Sequence, residues 1–180
     1  GAELEIDGNT GTGDIEIGNA VGDFELKTGT GSISIEKSHG EFELNSGTGR
    51  VLVEESQGNF EVNSGIGKVK GVNLTIESEA DFNSGTGSAE IIAPSGKNFD
   101  LQINSGTGDA VLDMQGKALE GYFEFQAHSR KGEIICPEKF DKVEEYGENG
   151  DTYLRKSFTR LKDTPRYFLS TGTGEAELIK

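Results

Sequence analysis

Three glutamates, Glu25, Glu43 and Glu61, recur at intervals of 18 residues, with Asp23 and Glu41 beside them. Carboxylates spaced so evenly on one face can hold a loose cation or dock a basic partner. Like charges facing one another at strand spacing also repel. The plainer expectation is a solvated face that discourages edge-to-edge aggregation. Carboxylate pairs also hydrolyse glycosidic bonds. Here Asp and Glu make up 32 of 180 residues, so two within reach are expected by chance. None is marked by an aromatic platform, an Arg or a His, and no catalytic residue is expected.

The other reactive side chains give weaker signals. His39 and His128 both fall in turns, without a His or Cys neighbour at metal-ligand spacing. Cys136 is a nucleophile only if exposed and activated, and its inward register predicts a buried small hydrophobe. Gly-x-Gly is not a phosphate loop here, because no Lys-Ser/Thr closes it and no helix follows. Calcium β-rolls place Asp two residues after the last Gly of a nonapeptide. This chain has Ile15, Ile33, Val51, Val69, Ala89 and Ala110 there, so core replaces ligand, while Asp14 and Asp109 sit one residue earlier and point outward. A row of Thr12, Thr30, Thr48, Thr86, Thr107 and Thr173 has the regularity of an ice-binding surface. Ile66 and Lys131 interrupt it, and a corner position makes it a turn stabiliser. No metal and no cofactor is expected.

Between residues 138 and 166, Phe140, Tyr146, Tyr153 and Phe158 are interleaved with Lys139, Lys142, Arg155, Lys156 and Arg160. Aromatic and basic residues together can bind a sugar or an acidic surface. The candidate surface is Phe140, Tyr146, Tyr153, Arg155, Lys156, Phe158 and Arg160. The same aromatics can instead plug the end of a repeat array, which needs a cap. Both readings stay open.

The elements that position these residues follow from a repeat. Gly-Thr-Gly or a close variant begins at 11, 29, 47, 65, 85, 106 and 172, and the first three intervals are 18 residues. Each unit is two nonapeptides, and each nonapeptide is a turn, a Gly and a short alternating strand. Inward positions run Ile15/Ile17, Ile33/Ile35, Val51/Val53, Ala89/Ile91 and Ala110/Leu112 on one side. On the other they run Phe24/Leu26, Phe42/Leu44, Phe60/Val62, Ala80/Phe82 and Leu101/Ile103. Period two gives one buried face per strand, and period 18 stacks like on like. No 3.6-residue period supports a helix. A disguised coil places Phe125/Ala127 and Ile134/Cys136 inward around His128-Ser129-Arg130-Lys131-Gly132. Tyr167/Leu169 and Ala176/Leu178 are expected to build the last coil. Residues 138–166 do not fit the register and read as an insertion or cap, with a hairpin tip at Gly147-Glu148-Asn149-Gly150-Asp151. The prediction is an all-β, single-domain β-solenoid over 1–180, of about 18-residue coils wound right-handed.

The Asn-Ser-Gly-Thr-Gly-x-hydrophobic-x-hydrophobic unit, as in Asn45 to Val53, resembles a bacterial adhesin-type family of unknown function. Its members are Gly-rich β-solenoids carrying Ser-Gly-Thr-Gly repeats, often outside the cytoplasm. The resemblance covers nearly all of 2–136 and returns at 167–180. It implies a non-catalytic, extracytoplasmic binding or structural module, with a cell-surface glycan or protein as partner and no catalytic residues to transfer. A carbohydrate-active β-helix enzyme and a self-associating solenoid scaffold are the alternatives. Composition is consistent with this. The net charge is −15, with 20 Asp/Glu against 6 Lys/Arg in residues 1–116 and 12 against 11 in residues 117–180. That excess argues against nucleic acid and anionic membranes as partners. No apolar run is long enough to span a membrane. The chain opens on Gly rather than Met, so a leader or anchor is expected upstream of it.

Overall fold

Strict alternation calls for strands with one apolar face, and the computed structural model, which describes residues 4–148 and 150–180, contains strands and no helix among them. In chain order they are β1 (Glu5–Thr12), β2 (Ile15–Gly18), β3 (Val21–Thr30), β4 (Ile33–Glu36), β5 (His39–Thr48), β6 (Val51–Glu54), β7 (Gln57–Ile66) and β8 (Val69–Val72). They continue as β9 (Thr75–Thr86), β10 (Ala89–Ile92), β11 (Asp100–Thr107), β12 (Ala110–Asp113), β13 (Gly121–His128) and β14 (Gly132–Ile135). The last three are β15 (Lys142–Glu148), β16 (Asp151–Arg160) and β17 (Arg166–Ile179).

Up to β12 a long odd-numbered strand and a short even-numbered one make each coil. Coils pair in parallel with an offset of 18, as in Phe24↔Phe42↔Phe60 and Ile33↔Val51. Long strands thus form one sheet and short strands a second, with the core between them. Phe24, Phe42 and Phe60 stack with ring centroids 4.8 and 4.9 Å apart, which is the strand spacing itself. Polar ladders run alongside. The Nδ2 groups of Asn63, Asn83 and Asn104 donate to the Oδ1 of Asn45, Asn63 and Asn83 at 3.0, 3.0 and 2.8 Å. Ser46, Ser64, Ser84 and Ser105 donate to glycine carbonyls of the preceding coil.

Two kinds of corner close each coil. After the long strand, Gly49 has φ +154°, and a Cβ on it would lie 1.9 Å from the Gly31 carbonyl oxygen, so only glycine fits. After the short strand the left-handed residue is not glycine but Asn19, Lys37, Glu55, Asn73, Ala93 or Gln115, with φ between 48° and 57°. The amides of Asn19, Lys37 and Glu55 donate to the next coil at 2.9–3.0 Å, which helps hold a conformation disfavoured for L-residues.

The C-terminal order differs from the expectation. β17 is not the last coil in space. Its first half pairs with β11 and β13, its second half with β12 and β14, so it fills a slot between two coils that precede it in the chain. The glycine ladder explains the order. A Cβ at Gly172 or Gly174 would lie 2.6 or 2.3 Å from the carbonyl of Gly106 or Gly108. Thr-Gly-Thr-Gly therefore fits against β11, whereas β13 runs into His128 and takes the end level. Beyond it β16 pairs antiparallel with β13, and β15 antiparallel with β16, so 138–166 contributes a hairpin that extends the long-stranded sheet. Of the expected tip, Asn149 lies outside the described residues.

One apolar core runs from Phe24 to Leu178 and takes in Phe158 from the hairpin. The molecule is an all-β, single-domain, parallel-strand β-solenoid.

Candidate functional site

Outward positions of the long strands share one face, because every other side chain points away from the core. On β1 to β9 that face is acidic. Asp7, Glu25, Glu43, Glu61 and Asp81 stand in one register column, extending the three-residue ladder at both ends. Glu5, Asp23, Glu41 and Asn59 form a second column. A shallow groove of about 380 Å³ runs between the columns.

Repulsion along the ladder is relieved locally. Lys27 pairs with Glu25 and reaches Glu43 at 3.3 Å, and these two carboxylates hold its ammonium above the ordinary lysine value. Asn45 and Asn63 donate to Glu43 and Glu61. Asn59 donates to Glu41 at 2.9 Å while accepting from the amides of Ser78 and Glu79. Among the described residues, Asp81 has no such partner. Burial, then Glu79 and Glu61, push its carboxyl above the ordinary aspartate value. Among the described residues, no three His, Cys, Asp or Glu side chains converge to hold a metal ion.

Past β9 the same face changes character. β17 contributes Phe168 and Ser170, β13 contributes Tyr122, Glu124 and Gln126, and β11 contributes Gln102 and Asn104. Two depressions flank Phe168, of about 200 Å³ towards Ser170 and about 320 Å³ towards Tyr122 and Arg166. The Tyr122 ring meets Phe168 edge-on at 6.0 Å, and its hydroxyl donates to Glu124 at 2.6 Å. Arg155 Nε lies 3.3 Å from the other oxygen of Glu124, and its guanidinium covers Tyr146 at 4.7 Å.

The hairpin splits the seven candidate residues between its two faces. Phe158 is 1% exposed and stacks on Phe123 at 4.8 Å, so it is a core plug rather than a surface group. Phe140 packs partly buried against Phe125, with Lys156 over its ring. Arg160 covers Phe158 and pairs with Glu138 and Asp141. Tyr146, Tyr153 and Arg155 sit together on the outer face, with the two tyrosine rings stacked at 5.7 Å. Sequence reasoning missed Tyr122 and Phe168, which look like ordinary outward positions of alternating strands. The available signal was that both are aromatic where other coils carry acids or amides.

The remaining candidates take structural roles. His128 is buried: its Nδ1 accepts from the Arg130 amide, leaving Nε2–H to face Asp151 at 3.1 Å. His39 is exposed beside Glu77 at 3.2 Å. Asp14 and Asp109 accept backbone amides of the next coil, from Ser32 and Glu175. The threonine column keeps register through Ile66 at an exposed corner. Cys136 is not fully buried as expected. It is partly exposed because β14, the end strand of the short-stranded sheet, pairs only with β17 among the described residues. Burial still pushes its thiol up, away from the reactive thiolate.

Gly corners and two sheets of stacked parallel strands define the class, a β-solenoid repeat protein. The model of the Toastrack DUF4097 family matches residues 4–134, and the chain belongs to that family, whose function is unknown. No curated protein and no solved structure matches the chain.

Proposed function

We propose that the protein is a non-catalytic, extracytoplasmic binding module of adhesin type that meets its ligand with the outer face of the long-stranded sheet. One observation carries this reading. Strand pairing carries that face from β1 through β9 and β11 to β17, β13 and the hairpin, and it holds the groove and both depressions. Its carboxylates stand in rows at coil spacing and are met by Lys27, Asn45, Asn59 and Asn63. That arrangement suits a surface to be recognised better than an acid–base pair. The placement outside the cytoplasm rests on the adhesin-type resemblance of the repeat.

The test is saturable binding of the fluorescently labelled chain to intact bacterial cells. Glu43→Gln/Glu61→Gln and Phe168→Ala, on this face, are expected to lower the bound signal. Lys70→Gln, on the outer face of the short-stranded sheet, is expected to leave it unchanged. Absence of saturable binding, equal loss with Lys70→Gln, or catalytic release of reducing ends from cell-wall polysaccharide would overturn the reading.

A further inference from the structure

The acidic columns end where β11 hands over to β17, and three features converge there. The first is apolar. Phe168 and Tyr122 are half-buried outward aromatics whose rings line the two depressions. Exposed aromatic rings are flat apolar platforms with little conformational entropy to lose on binding.

The second is amide chemistry. The asparagine ladder that begins at Asn45 stops at Asn104, because the next level in register is Ser170. Asn104 Oδ1 therefore lacks the ladder donor that its three predecessors have. The small Ser170 leaves a notch between Asn104 and Gln126, with Gln102 beside it. Planar amides offer a donor and an acceptor side by side, which is what a ring bearing vicinal hydroxyls can engage.

The third is electrostatic. Glu124 is met by Arg155 and by the Tyr122 hydroxyl, and the second depression is bordered by one Asp163 and one Arg166. Arg155 and Arg166 thus offset Glu124 and Asp163 at this site. A charged ligand gains little there, in contrast to the acidic half of the same face.

We propose that this zone binds a neutral oligosaccharide, with one sugar ring in each depression and Phe168 between them. Sugar C–H faces lie on Phe168 and Tyr122, and hydroxyls bond the amides of Gln102, Asn104 and Gln126. This deepens the binding-module reading and rests on it. Each depression is of ring size rather than the roughly 800 Å² patch per partner that a stable protein interface needs.

Maltotriose, cellotriose and tri-N-acetylchitotriose serve as probes, with trigalacturonate as the charged control. Each is titrated into the ¹⁵N-labelled chain and followed by amide shifts. At least one neutral trisaccharide is expected to move the amides of Gln102, Gln126 and Phe168 with saturation. Phe168→Ala and, independently, Gln126→Ala are expected to weaken binding by about tenfold. Lys70→Gln, on the outer face of the short-stranded sheet, is expected to leave it within about twofold. The proposal is overturned if no neutral probe moves these amides up to about 10 mM, if trigalacturonate binds there better, or if neither variant weakens binding. Cell labelling that survives Phe168→Ala but falls with Glu43→Gln/Glu61→Gln would keep the binding module and discard this site.

Discussion

Gly40 has φ +146°, and a Cβ on it would lie 1.8 Å from the carbonyl oxygen of Gly22 in the coil before. Strain and collision act together, so Gly40→Ala is expected to cost more than about 3 kcal/mol in urea denaturation. Such glycines are legible because the repeat prints them. The left-handed corners at Lys37, Glu55 and Ala93 are not, since no residue type there announces φ > 0. Asp81 carries a testable electrostatic penalty. Its carboxyl sits above the unfolded value of about 3.9, mainly through burial, so the folded state binds the proton more tightly. The resulting stability is present at acid pH and lost as pH rises through the folded value. Asp81→Asn is therefore expected to stabilise the protein by about 0.5 kcal/mol at neutral pH, a figure discounted for solvent screening. In thermal melts the gain should shrink towards zero once wild-type Asp81 is protonated. A gain that persists in acid would refute this cause.

Among the strands, alternation alone located the inward faces of β3 to β12, because a half-buried strand must show period two. It also hid a compensation. At the irregularity between Gly58 and Phe60, Phe60 comes to face Ala80 while Val62 faces Phe82, so large and small exchange columns. Gly71 leaves room for Leu74, Ile91 and the Phe82 ring together, since a Cβ there would lie 2.6, 2.8 and 3.2 Å from them. The hairpin was legible as an insertion, but its docking was not, because β16 pairs antiparallel and outside the 18-residue register. Its anchor is Phe158 against Phe123 and Phe125. Phe158→Ala is expected to cost about 3–5 kcal/mol in chemical denaturation. A loss below about 1 kcal/mol would mean that the hairpin does not seal this end.

Across the whole molecule, chain order and stacking order part company once, at β17. The family match ends at residue 134, yet a strand from 166–179 lies inside the stack that the match describes. The repeat revealed that this segment forms a coil. It did not reveal the slot, because period 18 says which residues align and not which coil is the neighbour. A chain ending at residue 164 thus loses an internal level, not a terminal one. Limited proteolysis is expected to remove 121–164 from that variant while the β1–β12 part resists; protection of 121–164 would contradict the interleaved order.

The sharpest test of the outer face as the recognition surface is site-specific blocking in a Cys136→Ala background. Gln102→Cys on the outer face of the long-stranded sheet and Lys70→Cys on that of the short-stranded sheet would each carry a bulky maleimide polymer. The account predicts that cell binding is abolished by the attachment at residue 102 and preserved by the one at residue 70. Binding that survives at 102 and is lost at 70 would contradict it.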